Sequence, residues 1–380
     1  MIKVVEVIPT LSMGGAESML RDYCIIMDKE KFDVSVIVLT EHKNTPIEDA
    51  FEKNGIKVKY LGEQLFQKND LSAPKRAIRR FSRYYYFRKS VMEINPDVIH
   101  LHLQIGKYMR VLPLKKMGCK LYLTVHNVAW RYFSKDRNDR IQYSEYREVY
   151  RLIHENGLRL IALQDELNNE LKELFETSSE RVITLHNGIQ MKRFDPGLYD
   201  RSEERKRLSI EEGVTVIGHV GSMHPQKNHD LILQVFSEYH KMHSTSRLLL
   251  IGNGKLKSQI IEKIEQMGLK QDVTILSDRD DVPQLMRAMD VFLFPSRWEG
   301  FGNVLIEAQY MGLPCVVSDV VPKDTRITDR VHVVGLNEPV KTWVKELDNA
   351  LEGIPGATKQ AEPEEYDINR NVKLLEGLYI

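Results

Sequence analysis

Short apolar runs rich in valine and isoleucine alternate with longer amphipathic stretches along almost the whole chain, and this alternation restricts the possible folds most. In the first half the runs include Lys3–Ile8, Val34–Thr40 and Asp97–Leu101, and amphipathic stretches such as Glu17–Met27 separate them. Runs that are apolar on both faces are typical of strands in a parallel sheet that helices cover on both sides. The sequence therefore predicts an α/β protein.

The alternation pauses at Asn187 and Gly188 and resumes after a charged segment, with a second series of strands that begins at Val214–Val220. Two consecutive series predict two Rossmann-like parallel-sheet lobes that face each other across a cleft. A length of 380 residues is adequate for two domains. The predicted division is residues 1–188, residues 189–365 and an appended closing helix at 366–380.

The composition argues against several other classes of protein. Lys plus Arg and Asp plus Glu both number 54, so the chain as a whole has no net attraction for nucleic acid. Cys24, Cys119 and Cys315 are scattered, which argues against a disulfide framework and a cysteine-based zinc site. Glu6 and Pro9 interrupt the first apolar run, and no stretch approaches the ~18 apolar residues of a membrane span. The sequence thus predicts a cytoplasmic protein.

Two turns that follow strands have residues suited to an anion. Gly14 and Gly15 precede a predicted helix, where the backbone can approach an anion closely and present N–H groups to it. A tight strand-to-helix turn without a ligand explains these glycines equally well. The segment Gly221–Asn228 follows the first strand of the second lobe, and Lys227 would meet a pyrophosphate near the positive end of the next helix. Taken alone, Lys227 is better explained as a surface lysine.

The most specific stretch is PSRWEGFGNVLIE, residues 295–307. Glu299 would lie at the carboxyl end of a buried strand, where α/β proteins bind ligands. Glu307 lies one turn into the helix beyond Asn303 and would face the same crevice. Carboxylates accept hydrogen bonds from sugar hydroxyls, and a glycine-rich helix start donates to phosphate. Either glutamate alone is usually a cap or a solvated residue, but the whole arrangement is hard to explain by capping.

Two other groups have spacings that metal sites use. Asp278 and Asp280 form a D-x-D, but Asp281 with a proline two residues later is better explained as a helix N-cap. His100 and His102 have i,i+2 spacing at a strand end, but no third ligand is evident in the sequence. We therefore predict no metal site.

A basic segment, residues 71–92, holds seven Lys or Arg residues and no acidic one. If the segment is a helix, its arginines fall on one face and its apolar side chains near another. The basic face has Arg76, Arg79, Arg80 and Arg83, and the apolar one has Ile78, Phe81 and Tyr85. A basic amphipathic helix suits an anionic membrane surface, which predicts peripheral contact on the inner face of the cell membrane. The simpler alternative is a solvated helix whose apolar face packs on the sheet, and nucleic acid is disfavoured because no reading motif accompanies the patch. The residues predicted to contact the membrane are Lys75, Arg76, Arg79, Arg80 and Arg83.

Several of these segments together resemble one family. Glu299 and Glu307, within EGFGNVLIEA, resemble the E-x7-E signature of GT4-type retaining glycosyltransferases with the GT-B fold. Gly14-Gly15-Ala16-Glu17 is similar to the family's N-terminal loop, and His126 after a strand is similar to its active-site histidine. Lys227 is similar to the phosphate-binding lysine, and the helix at 366–380 is similar to the segment that crosses back to the first lobe. The resemblance spans the chain and is greatest to bacterial capsule and exopolysaccharide transferases of the EpsF type.

The resemblance implies a retaining, metal-independent transfer of a hexose or N-acetylhexosamine from a nucleotide sugar, UDP-linked by family frequency, with no cofactor. The implied acceptor is lipid-linked or an oligosaccharide, in surface polysaccharide synthesis. Glu307 would hold the donor's ribose, Glu299 a hydroxyl of the transferred sugar, and His126 would lie beside that sugar and the acceptor. The other implied site residues are Gly14, Gly15, Ser222, Lys227, Gly302, Asn303 and Val304.

The chain departs from the family at Ser222, where the family often has arginine after the glycine of the phosphate loop. This leaves one fewer cation for the diphosphate, and Arg297 and His224 are the residues that could replace it. Two alternative functions stay open: a UDP-sugar epimerase on the same architecture, and a catalytically silent sugar-nucleotide-binding protein, which Ser222 slightly favours. An epimerase would need additional acid/base carboxylates.

Overall fold

A computed structural model describes residues 1–12, 14–64, 73–353 and 364–380 of the protein. The chain divides into two compact units. The first contains residues 1–188 together with 365–380, and the second contains residues 189–364. Each unit is an α/β structure with its own parallel sheet.

The first unit is built on a seven-stranded sheet. Its strands are β1 (Ile2–Ile8), β2 (Phe32–Val38), β3 (Lys57–Tyr60), β4 (Val98–His102), β5 (Lys120–Val125), β6 (Arg159–Ala162) and β7 (Val182–Thr184). Its helices before residue 188 are α1 (Gly15–Ile26), α2 (Pro46–Lys53), α3 (Ala73–Ile94), α4 (Leu114–Met117), α5 (Ala129–Tyr132), α6 (Arg140–Asn156) and α7 (Asp165–Phe175). The strand order is β3-β2-β1-β4-β5-β6-β7, and all six pairings are parallel.

Both faces of this sheet are buried, as the apolar runs predicted. Successive side chains of a strand point to opposite faces, so Val5 and Val7 of β1 join one core cluster and Val4 and Ile8 join the other. Glu6 points to the same face as Val4 and Ile8 and is only 2% exposed. An ionisable residue thus lies in the buried and otherwise apolar part of the strand, residues 4–8.

The second unit has a six-stranded sheet. Its strands are β8 (Thr215–Val220), β9 (Ser246–Ile251), β10 (Val273–Leu276), β11 (Val291–Phe294), β12 (Cys315–Ser318) and β13 (Val331–Val334), in the order β10-β9-β8-β11-β12-β13 with every pairing parallel. Its helices are α8 (Arg201–Arg207), α9 (His229–Met242), α10 (Lys257–Gln266), α11 (Val282–Arg287), α12 (Asn303–Tyr310) and α13 (Val340–Glu352). The sequence pattern missed β13 because this edge strand is partly exposed, with Val333 44% exposed.

The last helix, α14 (Ile368–Tyr379), packs within the first unit. Asp367 caps it by accepting from the backbone N–H groups of Asn369 and Arg370. A carboxylate oxygen of Glu376 accepts from the backbone N–H of Asp28 at 2.7 Å. Close packing at Gly188 requires glycine, because a Cβ there would lie 2.6 Å from Cα of Ile368.

Residues 73–92 of the basic segment lie in α3, but the side chains of Lys75, Arg76, Arg79 and Arg80 lie outside the described residues. Ile78, Phe81 and Tyr85 are 51%, 73% and 62% exposed. The simpler alternative, in which these apolar side chains pack on the sheet, is therefore wrong for all three. Phe87 and Val91, on the buried face of the helix, make that contact instead.

Cys24, Cys119 and Cys315 are all free, so they form no disulfide with one another. Within the described ranges, no helix is both long enough and apolar enough to cross a membrane.

Candidate active site

The second unit brings two predicted site residues into direct contact. Strands β8 and β11 are neighbours in the parallel sheet, so the loops at their carboxyl ends meet. Nζ of Lys227, after β8, donates to Oε1 of Glu299, after β11, at 2.6 Å. Nε2 of Gln226 donates to the other carboxylate oxygen at 3.1 Å. The Glu299 side chain is 5% exposed and that of Lys227 12%, so the pair is largely shielded from water.

Two further contacts hold the lysine in place. Nζ of Lys227 lies 4.6 Å from the centroid of the Phe294 ring, which is a cation–π geometry. Gly221 makes room for the lysine stem, because a Cβ at Gly221 would approach Cδ and Cε of Lys227 to 3.1 Å. The ammonium group is therefore fixed by its neighbours, whereas an ordinary surface lysine would be mobile.

Helix α12 begins directly after Glu299 and its glycines. Gly302 is the N-cap with φ of +97°, a left-handed conformation that favours glycine. The buried Phe301 ring anchors the turn. The N–H groups at the start of a helix point along its axis toward its positive end, so those of Asn303 and Val304, which follow Gly302, are suited to an anion. Glu307, which is partly buried, lies one turn further along the same helix.

The structure distinguishes between the two candidate replacements for the missing arginine. Ser222 is exposed and adds no charge. Nδ1 of His224 accepts from the backbone N–H of Gln226, so this ring serves as a local cap. Arg297 donates from Nε to Oδ1 of Asn228 at 3.2 Å, and its backbone N–H bonds to the carbonyl of Gln226. Arg297 is thus the exposed cation beside the Lys227 loop.

In the first unit, a glutamate carboxylate packs over the glycine loop that follows β1. Gly14 is the N-cap of α1, and the carboxylate of Glu17 lies directly over it, in the space that a Cβ on Gly14 would occupy. Ser12 Oγ donates to that carboxylate at 3.0 Å. A Cβ on Gly15, by contrast, would have no described atom within 4 Å. A side chain at position 14 would displace the Glu17 carboxylate, whereas position 15 has room for one.

His126 follows β5 and is partly exposed. Its Nε2 lies 2.9 Å from Nδ1 of His102, and Nε2 of His102 lies 2.7 Å from Oε2 of Glu6. Burial lowers the pKa of His126 well below its ordinary value, and His102 and His100 lower it further. The ring is therefore neutral near pH 7.

The two histidines of β4 have a third partner that the sequence analysis missed. Potential ligand atoms of Glu6, His100 and His102 lie within 4.8 Å of one another, so this group could hold a metal ion by distance alone. Strand pairing explains the meeting, because Glu6 of β1 is in register with His100 of β4. All six ligand atoms already have hydrogen-bond partners, which include Thr124, His126 and Tyr379. The geometry is that of a closed hydrogen-bond network. The sequence signal for this network was Glu6, a charged residue within the otherwise apolar run of residues 4–8.

The acidic D-x-D also has local partners. Asp278 accepts from the side-chain amide of Asn253 at 2.9 Å. Asp281 occupies the N-cap position of α11, as predicted, but makes no capping bond with its side chain. Its carboxylate pairs with Arg207 at 2.7 Å and with Arg279. The predicted capping bond is wrong, because two guanidinium groups hold the carboxylate away from the helix start.

The two parallel-sheet units are those of the GT-B fold that the resemblance implied, and the lysine–glutamate pair and the glycine-capped helix lie at the carboxyl ends of the second sheet. The model "Glycosyltransferase Family 4" matches residues 13–193, and "Glycosyl transferases group 1" matches residues 200–361. The chain is therefore a glycosyltransferase with two family domains, the first part matched by one model and the second part by the other.

Relatives and solved structures agree with that assignment. The chain is 29% identical to EpsF of Bacillus subtilis (strain 168), a protein named as a glycosyltransferase, over 99% of this chain and 96% of that one. It is 28% identical to the UDP-Gal:alpha-D-GlcNAc-diphosphoundecaprenol alpha-1,3-galactosyltransferase of Escherichia coli, over 59% of this chain and 58% of the relative. The fold is similar to that of Anabaena HepE, solved with UDP and glucose, with a TM-score of 0.77 and 16% identity over 100% and 99% of the two chains.

Proposed function

We propose that the protein transfers a hexose or N-acetylhexosamine, with retention of anomeric configuration, from a UDP-sugar to a lipid-linked or saccharide acceptor in surface polysaccharide or capsule synthesis. The observation that carries the proposal is the contact between Lys227 and Glu299 at the carboxyl ends of β8 and β11, directly before the start of α12. This arrangement offers a cation, helix N–H groups and a carboxylate to one ligand.

The charges of this arrangement suit the reaction. When a glycosyl–phosphate bond breaks, negative charge develops on the leaving diphosphate. Lys227, the N–H groups of Asn303 and Val304, and the exposed guanidinium of Arg297 would stabilise that charge without a metal ion, because they are already in place before the bond breaks. Retention is proposed with attack from the face of the leaving group, so that the departing phosphate accepts the proton of the attacking hydroxyl.

The remaining roles follow from position. Glu299 would accept a hydrogen bond from a hydroxyl of the transferred sugar, and Glu307, one turn into α12, would bind the ribose hydroxyls. Gly14 and Gly15 would let the backbone at the start of α1 approach the leaving phosphate, and Ser222 would contact the diphosphate. His126 would act on the acceptor and the transferred sugar from the first unit.

The choice of donor and acceptor draws on the relatives. The name of the Escherichia coli relative specifies a UDP-linked donor and a diphosphoundecaprenol-linked acceptor, and HepE was solved with UDP and glucose. A lipid-linked acceptor is compatible with α3, where Ile78, Phe81 and Tyr85 are exposed on a strongly basic helix. We therefore include peripheral contact of α3 with an anionic membrane in the proposal.

The test has two stages. A thermal-shift panel of UDP-, GDP- and ADP-sugars identifies the donor, because a ligand at a hundred times its Kd stabilises the protein by ~2.7 kcal/mol. The release of nucleoside diphosphate is then measured with and without undecaprenyl-diphosphate-linked GlcNAc and oligosaccharide acceptors. We expect release only when acceptor is present, and an NMR spectrum of the product that retains the donor's anomeric configuration.

Matched variants connect the result to the site. Lys227→Met should abolish transfer, whereas Lys270→Met, at an exposed lysine of the same unit, should leave it unchanged. Interconversion of the donor sugar without transfer would instead support an epimerase. Donor binding without transfer to any acceptor would support a silent binding protein, and either result would overturn the proposal.

A further inference from the structure

A row of polar side chains crosses an apolar face of the first sheet. Strands β1, β4 and β5 are neighbours, with Glu6 in register with His100 and His102 in register with Thr124. Side chains two residues apart share a face, so His126, two residues beyond Thr124, extends the same row. The surrounding face consists of valine, isoleucine and aromatic side chains.

The hydrogen bonds of this row can be satisfied in one consistent way. Glu6 is buried, and although burial alone would raise its pKa, His100 and His102 beside it hold that pKa well below its usual value. Its ionised carboxylate therefore accepts from Tyr379 Oη at Oε1, 2.9 Å away, and from His102 Nε2–H at Oε2, 2.7 Å away. A neutral His102 then carries its lone pair on Nδ1 and accepts from Nε2–H of His126 at 2.9 Å.

His100 completes a separate branch without disturbing this order. Its Nδ1–H donates to Tyr379 Oη at 2.5 Å, and its Nε2 accepts from Thr124 Oγ1 at 2.7 Å. Every donor then meets an acceptor, and the network carries one negative charge, on Glu6. Burial lowers the pKa of His102, and His100 lowers it further although Glu6 opposes the shift, so the neutral ring required here is the stable form.

This order of hydrogen bonds determines which ring nitrogen of His126 carries the proton. Its Nε2–H is committed to His102, and Nδ1, which bonds to no residue in the described part of the chain, carries the lone pair. We propose that Glu6 and His102 are positioning residues that fix the tautomer of His126, so that its Nδ1 accepts a hydrogen bond from a hydroxyl of the bound sugar or acceptor.

The inference deepens the proposed function and rests on it for the identity of the hydroxyl. Glu6 acts through His102, because the cavity beside it has a volume of about 10 Å³, enough for at most one water molecule and far too small for a sugar. The other tautomer would carry its N–H on Nδ1, so Nδ1 could no longer accept a hydrogen bond from that hydroxyl.

The test compares two histidines of the same strand. His102→Phe removes the acceptor of His126, whereas His100→Phe changes an equally buried histidine that does not touch His126. In the full-length protein, long-range ¹H–¹⁵N NMR of the imidazole should show His126 protonated at Nε2 in the wild type and in His100→Phe. In His102→Phe it should show a mixture of both tautomers.

Kinetics supply the second readout. His102→Phe should lower kcat by about tenfold or more, the effect of one lost hydrogen bond to a reacting group, and leave the Kd for UDP unchanged. Glu6→Gln should lower kcat in the same direction, since it removes the charge that orders the two rings. His100→Phe should retain kcat per folded molecule, with the folded fraction measured by circular dichroism.

Three results would overturn the inference: an unchanged His126 tautomer in His102→Phe, equal loss of kcat in both phenylalanine variants, or a stoichiometric metal ion found by mass spectrometry with Glu6 and His102 as its ligands. Failure of the proposed function is distinguishable, because it would appear as absent transfer in the wild type while the NMR result on the tautomer stands independently.

Discussion

The ion pair between Lys227 and Glu299 should make a measurable contribution to the stability of the second unit. With side chains 12% and 5% exposed, it is mostly removed from water. Removing one partner of a buried pair typically costs ~3–5 kcal/mol, because the other charge is left without compensation. Since the Lys227 side chain retains some exposure, we expect Lys227→Met to cost about 3 kcal/mol, at the lower end of that range. For a domain of this size that corresponds to a fall in Tm of about 6–12 °C.

The assay should follow the second unit alone. Trp298 and Trp343 lie in this unit, and Trp130 is the remaining tryptophan of the chain. A Trp130→Phe background therefore makes fluorescence specific for unfolding of residues 189–364. Urea unfolding of Lys227→Met, Glu299→Gln and the double variant in this background forms a double-mutant cycle.

The cycle has a definite expected result. The double variant should be more stable than the sum of the single effects predicts, by about 1.5–3 kcal/mol, because neither charge then remains alone. Lys270→Met is the control, since its pair with Glu265 is exposed and should contribute less than about 1 kcal/mol. A cost below about 1 kcal/mol for Lys227→Met, or additive effects in the double variant, would show that the pair behaves as a surface ion pair and would refute this reasoning.

Three further predictions concern the proposed function. Glu307→Ala should raise the Kd for the donor by about tenfold, while Glu299→Ala should mainly lower kcat. The reason is that, of the two glutamates, Glu299 is the one assigned to the sugar where charge develops. Wild-type kinetics in both folded variants would contradict the assignment of these residues to the site. Transfer should survive EDTA, because protein cations are assigned to the diphosphate, and loss of activity that Mn²⁺ restores would show that a metal takes part. The protein should co-sediment with phosphatidylglycerol vesicles but not with neutral ones, less so at high salt, and replacing Arg79, Arg80 and Arg83 with glutamate should abolish this; equal sedimentation with both vesicles would count against membrane contact.

The sequence predicted those parts of the site whose residues lie close together in the chain, and missed the contact between residues that lie far apart. The stretch from Glu299 to Glu307 is continuous, so its strand end, its glycine turn and its helix could be placed from local pattern alone. The left-handed φ of Gly302 confirms why glycine stands before the helix. The hydrogen bond between Lys227 and Glu299 was not predicted, although both residues were, because strand order decides which loops meet.

Local pattern also failed where side chains had competing partners. Asp281 has the position of an N-cap, yet its carboxylate pairs with Arg207, 74 residues away in sequence. Gly14 and Gly15 look equivalent in the sequence, but the carboxylate of Glu17 packs over Gly14 and leaves the space at Gly15 open. In both cases the deciding partner was a side chain whose direction the sequence does not specify.

The sequence by itself determined the two α/β units, because the period of apolar residues fixes strands, helices and the faces they bury. It also supplied the family resemblance through motifs that are continuous in the chain. Only the tertiary structure decided that Glu6, His102 and His126 form one hydrogen-bonded series and that Tyr379, at the other end of the chain, binds the same carboxylate. The physical reason is that parallel strands are joined by long crossovers, so residues that share a hydrogen bond across neighbouring strands can be far apart in sequence, and their register follows from packing the whole sheet.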